Sequence, residues 1–131
     1  LREEEAALER QRAPSVINPE QNQHLIFWFD VLANSVRSDQ PDLSARQMAI
    51  MLTVYLMDGP HTVRGLTTGL TISKPAVTRA LDRLAGIDFI ARTKDPRDRR
   101  SVLINRTEAG EEFLNHFAEI IASAKRKTEL G

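Results

Sequence analysis

SKPAVTRALDRLAGIDFIARTKDPRDRRSVLINRTEAG, residues 73–110, changes its hydrophobic period twice. Ser73 is a side-chain cap for a helix start, and Pro75 fits a first turn, where its missing amide is harmless. Val77, Ala80, Leu81 and Leu84 then recur at i, i+3, i+4 and i+7, which predicts a one-sided helix. After Gly86, Phe89–Lys94 and Ser101–Asn105 read as two strands joined by Asp95-Pro96-Arg97-Asp98-Arg99-Arg100. That joining segment is too charged to pack inside, so the reading is a hairpin with a basic tip. Thr107 caps a final helix, with Glu108, Glu111 and Glu112 at its positive end and Phe113, Phe117, Ile120, Ile121 and Ala124 on one stripe. Lys125, Arg126 and Lys127 suit its negative end.

Upstream, Ser44 to Gln47 has the S-x-x-Q form of a capping box and predicts a helix over Ala45–Met57 that stops at Asp58-Gly59-Pro60. Thr62–Gly69 reads as a short helix that depends on tertiary packing, because Gly65 and Gly69 lower its intrinsic stability. From Glu20 to Val36 there is more apolar surface than one face of an isolated helix can carry, so this segment needs burial on several sides. Residues 1–12 read as a polar helix separated from the rest by Ala13-Pro14 and Asn18-Pro19. Three short helices followed by a hairpin define a winged helix-turn-helix: mainly α, with a small β-hairpin wing. The expected organisation is a polar arm at 1–19, a dimerisation helix and linker at 20–43, the winged helix-turn-helix at 44–106 and a C-terminal dimerisation helix at 107–131.

The chain has 131 residues, 41% hydrophobic and only 5% aromatic, which fits one largely helical domain. With no cysteine there is no disulfide, thiolate metal site or sulfur redox switch other than methionine. The sequence has no apolar run long enough to cross a bilayer and no signal-peptide core in its charged first residues, which makes a cytoplasmic location the expectation. It starts at Leu1 and not at Met, so the expectation is that some native N-terminal sequence has been removed, processed or left out. Formal net charge is zero, which alone argues against nucleic acid. The distribution argues the other way: Lys74 to Arg106 holds nine Lys or Arg against four Asp, while Leu1 to Asn22 holds three Arg against five Glu.

At 100° per residue from Val77, the face opposite the core carries Pro75, Arg79 and Asp82, with Ala76 and Arg83 beside them and Ser73, Lys74 and Thr78 at the entering end or flank. On an isolated helix these would be a solvated face with Asp82 pairing to Arg79 or Arg83. The neighbouring tip, three arginines stiffened by Pro96, shifts the balance, because a narrow minor groove is a good receiver for them.

LSARQMAIML (43–52), TVRGLTTGLTISKPAVTRALDRL (62–84) and DPRDRRSVLINRTEAG (95–110) resemble, in order and spacing, the MarR family of bacterial winged helix regulators over about residues 20–125. The resemblance implies that Arg97 enters the minor groove with Asp95 as its buttress, and that Ser73, Lys74, Pro75, Thr78 and Arg79 line the recognition helix. The expected DNA-binding set is therefore Ser73, Lys74, Pro75, Ala76, Thr78, Arg79 and Arg83 on the helix, and Lys94, Asp95, Arg97, Asp98, Arg99 and Arg100 on the wing. It also implies a homodimer and a small aromatic or anionic effector, for which Trp28, Phe29, Met51 and Tyr55 are the candidate lining; the alternative is that these four are ordinary core or dimer contacts. Two features depart from the family: Leu66-Thr67 stands where Leu-Ala is usual, and a further C-terminal helix normally follows. The expected dimer is accordingly built from residues 20–36 and 110–127.

His24, His61 and His116 have no metal-ligand spacing, with His61 read as a loop residue and His116 as exposed. No nucleophile elbow, phosphate-binding glycine loop or apolar acid pair is present, so neither catalysis nor a cofactor is expected. The expected function is a dimeric repressor binding double-stranded DNA at a pseudo-palindromic operator. The alternative is a winged-helix module whose basic face meets an acidic protein.

Overall fold

A computed structural model describes residues 2–4, 6 and 17–130. Residues 2–4 and 6 are helical; the rest of the polar helix expected over residues 1–12 lies outside the described residues. The order of elements is α1 (Pro19–Arg37), α2 (Ala45–Leu56), β1 (His61–Thr62), α3 (Val63–Leu70), α4 (Lys74–Gly86), β2 (Ile90–Asp95), β3 (Asp98–Arg106) and α5 (Glu108–Leu130). The three strands form an antiparallel sheet in the order β1-β3-β2. A mainly helical winged helix-turn-helix is thus what the chain folds into.

Helix starts follow side-chain chemistry. Asn18 Oδ1 accepts from the Glu20 amide at 2.9 Å with Pro19 in the first turn of α1, and Ser73 Oγ accepts from the Ala76 amide at 3.2 Å. At α2 the capping box closes both ways: Gln47 N donates to Ser44 Oγ at 3.1 Å and Ser44 N to Gln47 Oε1 at 2.9 Å. Thr62 Oγ1 accepts from Gly65 N at 3.0 Å, and Thr107 Oγ1 from Gly110 N at 3.0 Å. Helix ends follow a different rule from the one glycine counting predicts. Gly69 and Gly86 are helical, and the left-handed turns fall two residues later at Thr71 (φ 54) and Asp88 (φ 62). Thr71 lies in the turn of the helix-turn-helix itself, where a β-branched residue carries backbone strain.

Around α4 the core is continuous. Ile50, Met51 and Val54 of α2, Leu66 of α3, Val77, Ala80, Leu81 and Leu84 of α4, Phe89, Ile90 of β2, Ile104 of β3 and Phe113 of α5 form one buried cluster. Val31 and Ala124 are buried apart from it, on the two helices that pack together, α1 and α5. Lys127 Nζ lies 3.8 Å from Asp30 Oδ2 on those same helices.

The joint between the lobe and α5 is polar and tight. Tyr55 Oη donates to the Phe89 carbonyl at 2.7 Å and accepts from the Thr107 amide at 2.9 Å, while Thr107 Oγ1 donates to the Asp88 carbonyl at 2.7 Å. Phe89 and Phe113 pack across it with ring centroids 4.5 Å apart. Gly110 is required for this approach: a Cβ there would overlap the Tyr55 hydroxyl and come within 2.5 Å of the Phe89 carbonyl oxygen. That is the physical content of the glycine in T-E-A-G. Gly110→Ala is expected to destabilise the fold by about 1–3 kcal/mol, the usual cost of overpacking, read as a lower urea midpoint with an unchanged slope.

Candidate nucleic-acid interface

On α4 the burial of one stripe decides the exposure of the other. Val77, Ala80, Leu81 and Leu84 are buried, and Ser73, Lys74, Pro75, Thr78, Arg79, Asp82 and Arg83 are exposed. One expected member of the face is not on it: Ala76 is 8% exposed, because Ala76, Ala80 and Leu84 run at i, i+4 and i+8 and continue the apolar stripe. It belongs to the core.

Asp82 does not pair with its helical neighbours. Its Oδ1 accepts from Arg92 on β2 at 2.7 Å, an ion pair that crosses from the helix to the wing. Arg79, Arg83 and Lys74 therefore have no carboxylate partner among the described residues, and the one acid on the face is neutralised from the side. No signal in the sequence singled out Arg92, since its partner lies on an element whose placement depends on the whole fold.

The wing tip is tighter than six loop residues. Only Pro96 and Arg97 lie between the strands, and Phe89 precedes β2. Pairing jumps from Lys94↔Val102 to Asp95↔Asp98, leaving Arg99, Arg100 and Ser101 of β3 as a bulge with no partner on β2. Side-chain charge does not oppose strand pairing when the side chains face water, which is why the strands run further into the charged segment than composition indicates. Asp95 Oδ1 accepts from the Arg97 amide at 2.8 Å and Asp98 Oδ1 from the Arg100 amide at 3.0 Å. The two acids shape the tip through backbone turns. The guanidinium groups of Arg97, Arg99 and Arg100 make no ion pair among the described residues, and Lys94, Arg97, Asp98, Arg99 and Arg100 are exposed. Cationic side chains held on a bonded turn and on a helix face are a receiver for a polyanion.

Trp28, Phe29, Met51 and Tyr55 do not assemble into a crevice. Met51 is fully buried in the core, Tyr55 is the hydroxyl clasp above, and Trp28 and Phe29 stand exposed on α1. Met51 is a core residue, Tyr55 a structural bond, and Trp28 and Phe29 an uncovered surface. The one cavity described, about 290 Å³, lies elsewhere, between the end of α2 and the sheet, lined by Val54, Gly59, Pro60, His61, Leu103, Ile104, Asn105 and Arg106. His61 belongs to β1, its Nε2 3.0 Å from the Met57 carbonyl oxygen, and is not a loop residue. Arg106 is spoken for in part, its Nε donating to the Val54 carbonyl at 2.9 Å.

Residues 43–102 match the model of the MarR family. That stretch, from the start of α2 into β3, is similar to the MarR family. At 35% identity over 91 residues, covering 70% of this chain and 64% of the relative, it is similar to the uncharacterized HTH-type transcriptional regulator YpoP of Bacillus subtilis. With YkoM of the same organism it shares 29% over 93 residues, 70% of this chain and 60% of the relative. The chain thus spans just under two thirds of the length of the curated relatives it matches. Among solved structures, the transcriptional regulator Tm0710 from Thermotoga maritima has a TM-score of 0.66 and 25% identity, covering 85% of this chain and 77% of that one. The transcriptional repressor CouR, bound to a 23-mer DNA duplex, also has a TM-score of 0.66, with 26% identity over 84% of this chain and 76% of that one. The MarR family is one of transcriptional regulators and not of enzymes.

In this fold the Asp82–Arg92 pair is a bond between two half-exposed groups, with side chains 59% and 38% accessible. A double-mutant cycle with Asp82→Ala and Arg92→Ala is expected to give a coupling of about 0.2–1 kcal/mol in stability, shrinking as salt is raised. A salt-independent coupling above that range would show that the pair is shielded from water.

Proposed function

We propose that the chain is a sequence-specific DNA-binding transcriptional repressor acting as a homodimer, with α4 in the major groove and the wing tip in the adjacent minor groove. The observation that carries this reading is the cationic face: Lys74, Arg79 and Arg83 on α4 and Arg97, Arg99 and Arg100 on the wing are exposed and have no carboxylate partner among the described residues. The excess is local in a chain of zero net charge, so it marks a surface and not a bulk property. That CouR is a repressor bound to a DNA duplex supports the same use of the same fold.

On α1, Leu25, Trp28, Phe29, Leu32 and Val36 are between 45% and 68% exposed and lie on one helical stripe. A second copy is the partner this reading assigns to them, and two copies then present two recognition helices about 34–36 Å apart to a pseudo-palindromic site. Blocking of polymerase by the occupied site is the repression.

Arg97→Ala is expected to weaken binding to a selected duplex by at least about 1 kcal/mol, and unchanged binding at several salt concentrations would remove the wing from the interface. Leu32→Glu should convert the dimer to monomer in sedimentation. Trp28, the only tryptophan, reports the same event, since its emission should shift to the blue when wild-type chains associate.

A further inference from the structure

Tyr55 joins three segments that are distant in sequence. Its hydroxyl donates to the Phe89 carbonyl (2.7 Å), where the chain passes from α4 to β2, and accepts from the Thr107 amide (2.9 Å), where β3 passes to α5; the Thr107 carbonyl lies 3.2 Å away. With one hydrogen to give, the hydroxyl gives it to the shorter contact. The ring itself lies 5.9 Å below the Arg106 guanidinium, whose Nε holds the carbonyl of the residue before Tyr55. Gly110 leaves room for the hydroxyl alone. The first turn of α5 is thereby bonded to the ends of α2, α4 and β3 at one point.

From that point α5 runs 23 residues, and α1, with its uncovered apolar stripe, packs along it. α5 is the beam between the surface given above to a second copy and the lobe given to DNA. In a dimer, the separation of the two α4 helices depends on the angle at which each lobe leaves its beam. We infer that Tyr55 is a positioning residue that sets the half-site spacing the dimer accepts. This rests on the dimeric DNA-binding reading above and adds to it the bond that fixes the geometry. Without the hydroxyl, the Phe89 carbonyl and the Thr107 amide lose a shared partner and are satisfied by water only if the joint opens. An open joint lets the lobe swing, while α4 and the wing keep their own contacts.

The experiment uses the full chain and a half-site selected from random duplexes, presented singly, at the preferred spacing, and at a spacing changed by about half a helical turn. The wild type should prefer the first spacing by about 10²- to 10⁴-fold, since simultaneous engagement is lost at the second. Tyr55→Phe should select the same half-site and bind it singly within about twofold of wild type, while its spacing ratio falls at least about tenfold. Gly110→Ala, which pushes the hydroxyl out of place, should move the ratio in the same direction. A folded Tyr55→Phe with an unchanged ratio overturns the inference and leaves DNA binding standing; a wild type with no preferred half-site overturns DNA binding, and this inference with it. Tyr55 is the only tyrosine, so 3-fluorotyrosine in the wild-type chain reports the joint without any substitution. Its fluorine resonance should match the free protein on the duplex of preferred spacing, where both lobes engage with the joint closed, and a resonance that moves on that duplex would contradict the assignment.

Discussion

Burial of the apolar stripe of α4 is the constraint on which the rest depends. Val77, Ala80, Leu81 and Leu84 reach α2, α3, β2, β3 and α5 through one shared core, so α4 has no freedom to rotate. Truncating any one of the larger of these to alanine costs about 2–5 kcal/mol in a typical core. Rotation by a single residue would bury Arg79 or Asp82 without a partner, which costs still more. The outward display of Lys74, Arg79 and Arg83 therefore follows from packing and needs no ligand to hold it.

The wing is tied to that helix by Asp82 and Arg92 and is shaped at its tip by Asp95 and Asp98. All four do their work on the protein side. Two carboxylates accept backbone amides and a third takes up Arg92, so among the described residues no acid pairs with the guanidinium groups of Arg97, Arg99 and Arg100. A segment that alternates acids and bases by composition is thus divided by geometry, with acids bonded inward and bases left to solvent.

Local chemistry was readable before folding wherever neighbours in sequence decide the outcome. Asn18, Ser44, Thr62, Ser73 and Thr107 cap helices through residues two or three positions away, and three of these five, Ser44, Ser73 and Thr107, read as caps from residue type and spacing alone. Asn18 reads only as a break before Pro19, although Asn-Pro is also the form of a cap and first turn. The other misses share a cause, which is distance along the chain. β1 is two residues long and exists only through pairing with β3, so no periodicity marks it. Trp28, Phe29, Met51 and Tyr55 have the chemistry of a binding crevice, but their relative placement is set by how α1 packs on α5. Tyr55 gives no local sign that its hydroxyl meets residues 34 and 52 positions away. Ala76 is the exception: its i+4 relation to Ala80 is local, and it sets the residue on the apolar stripe beside the exposed face.

Hydroxyl-radical footprinting of the full chain on a duplex selected from random sequence tests the central claim most directly, because it reports where the polyanion meets the protein without altering the protein. Two protected patches related by a dyad are expected, about one helical turn apart centre to centre, each with minor-groove protection beside a major-groove contact. Uniform protection, or none that survives excess nonspecific DNA, would contradict it.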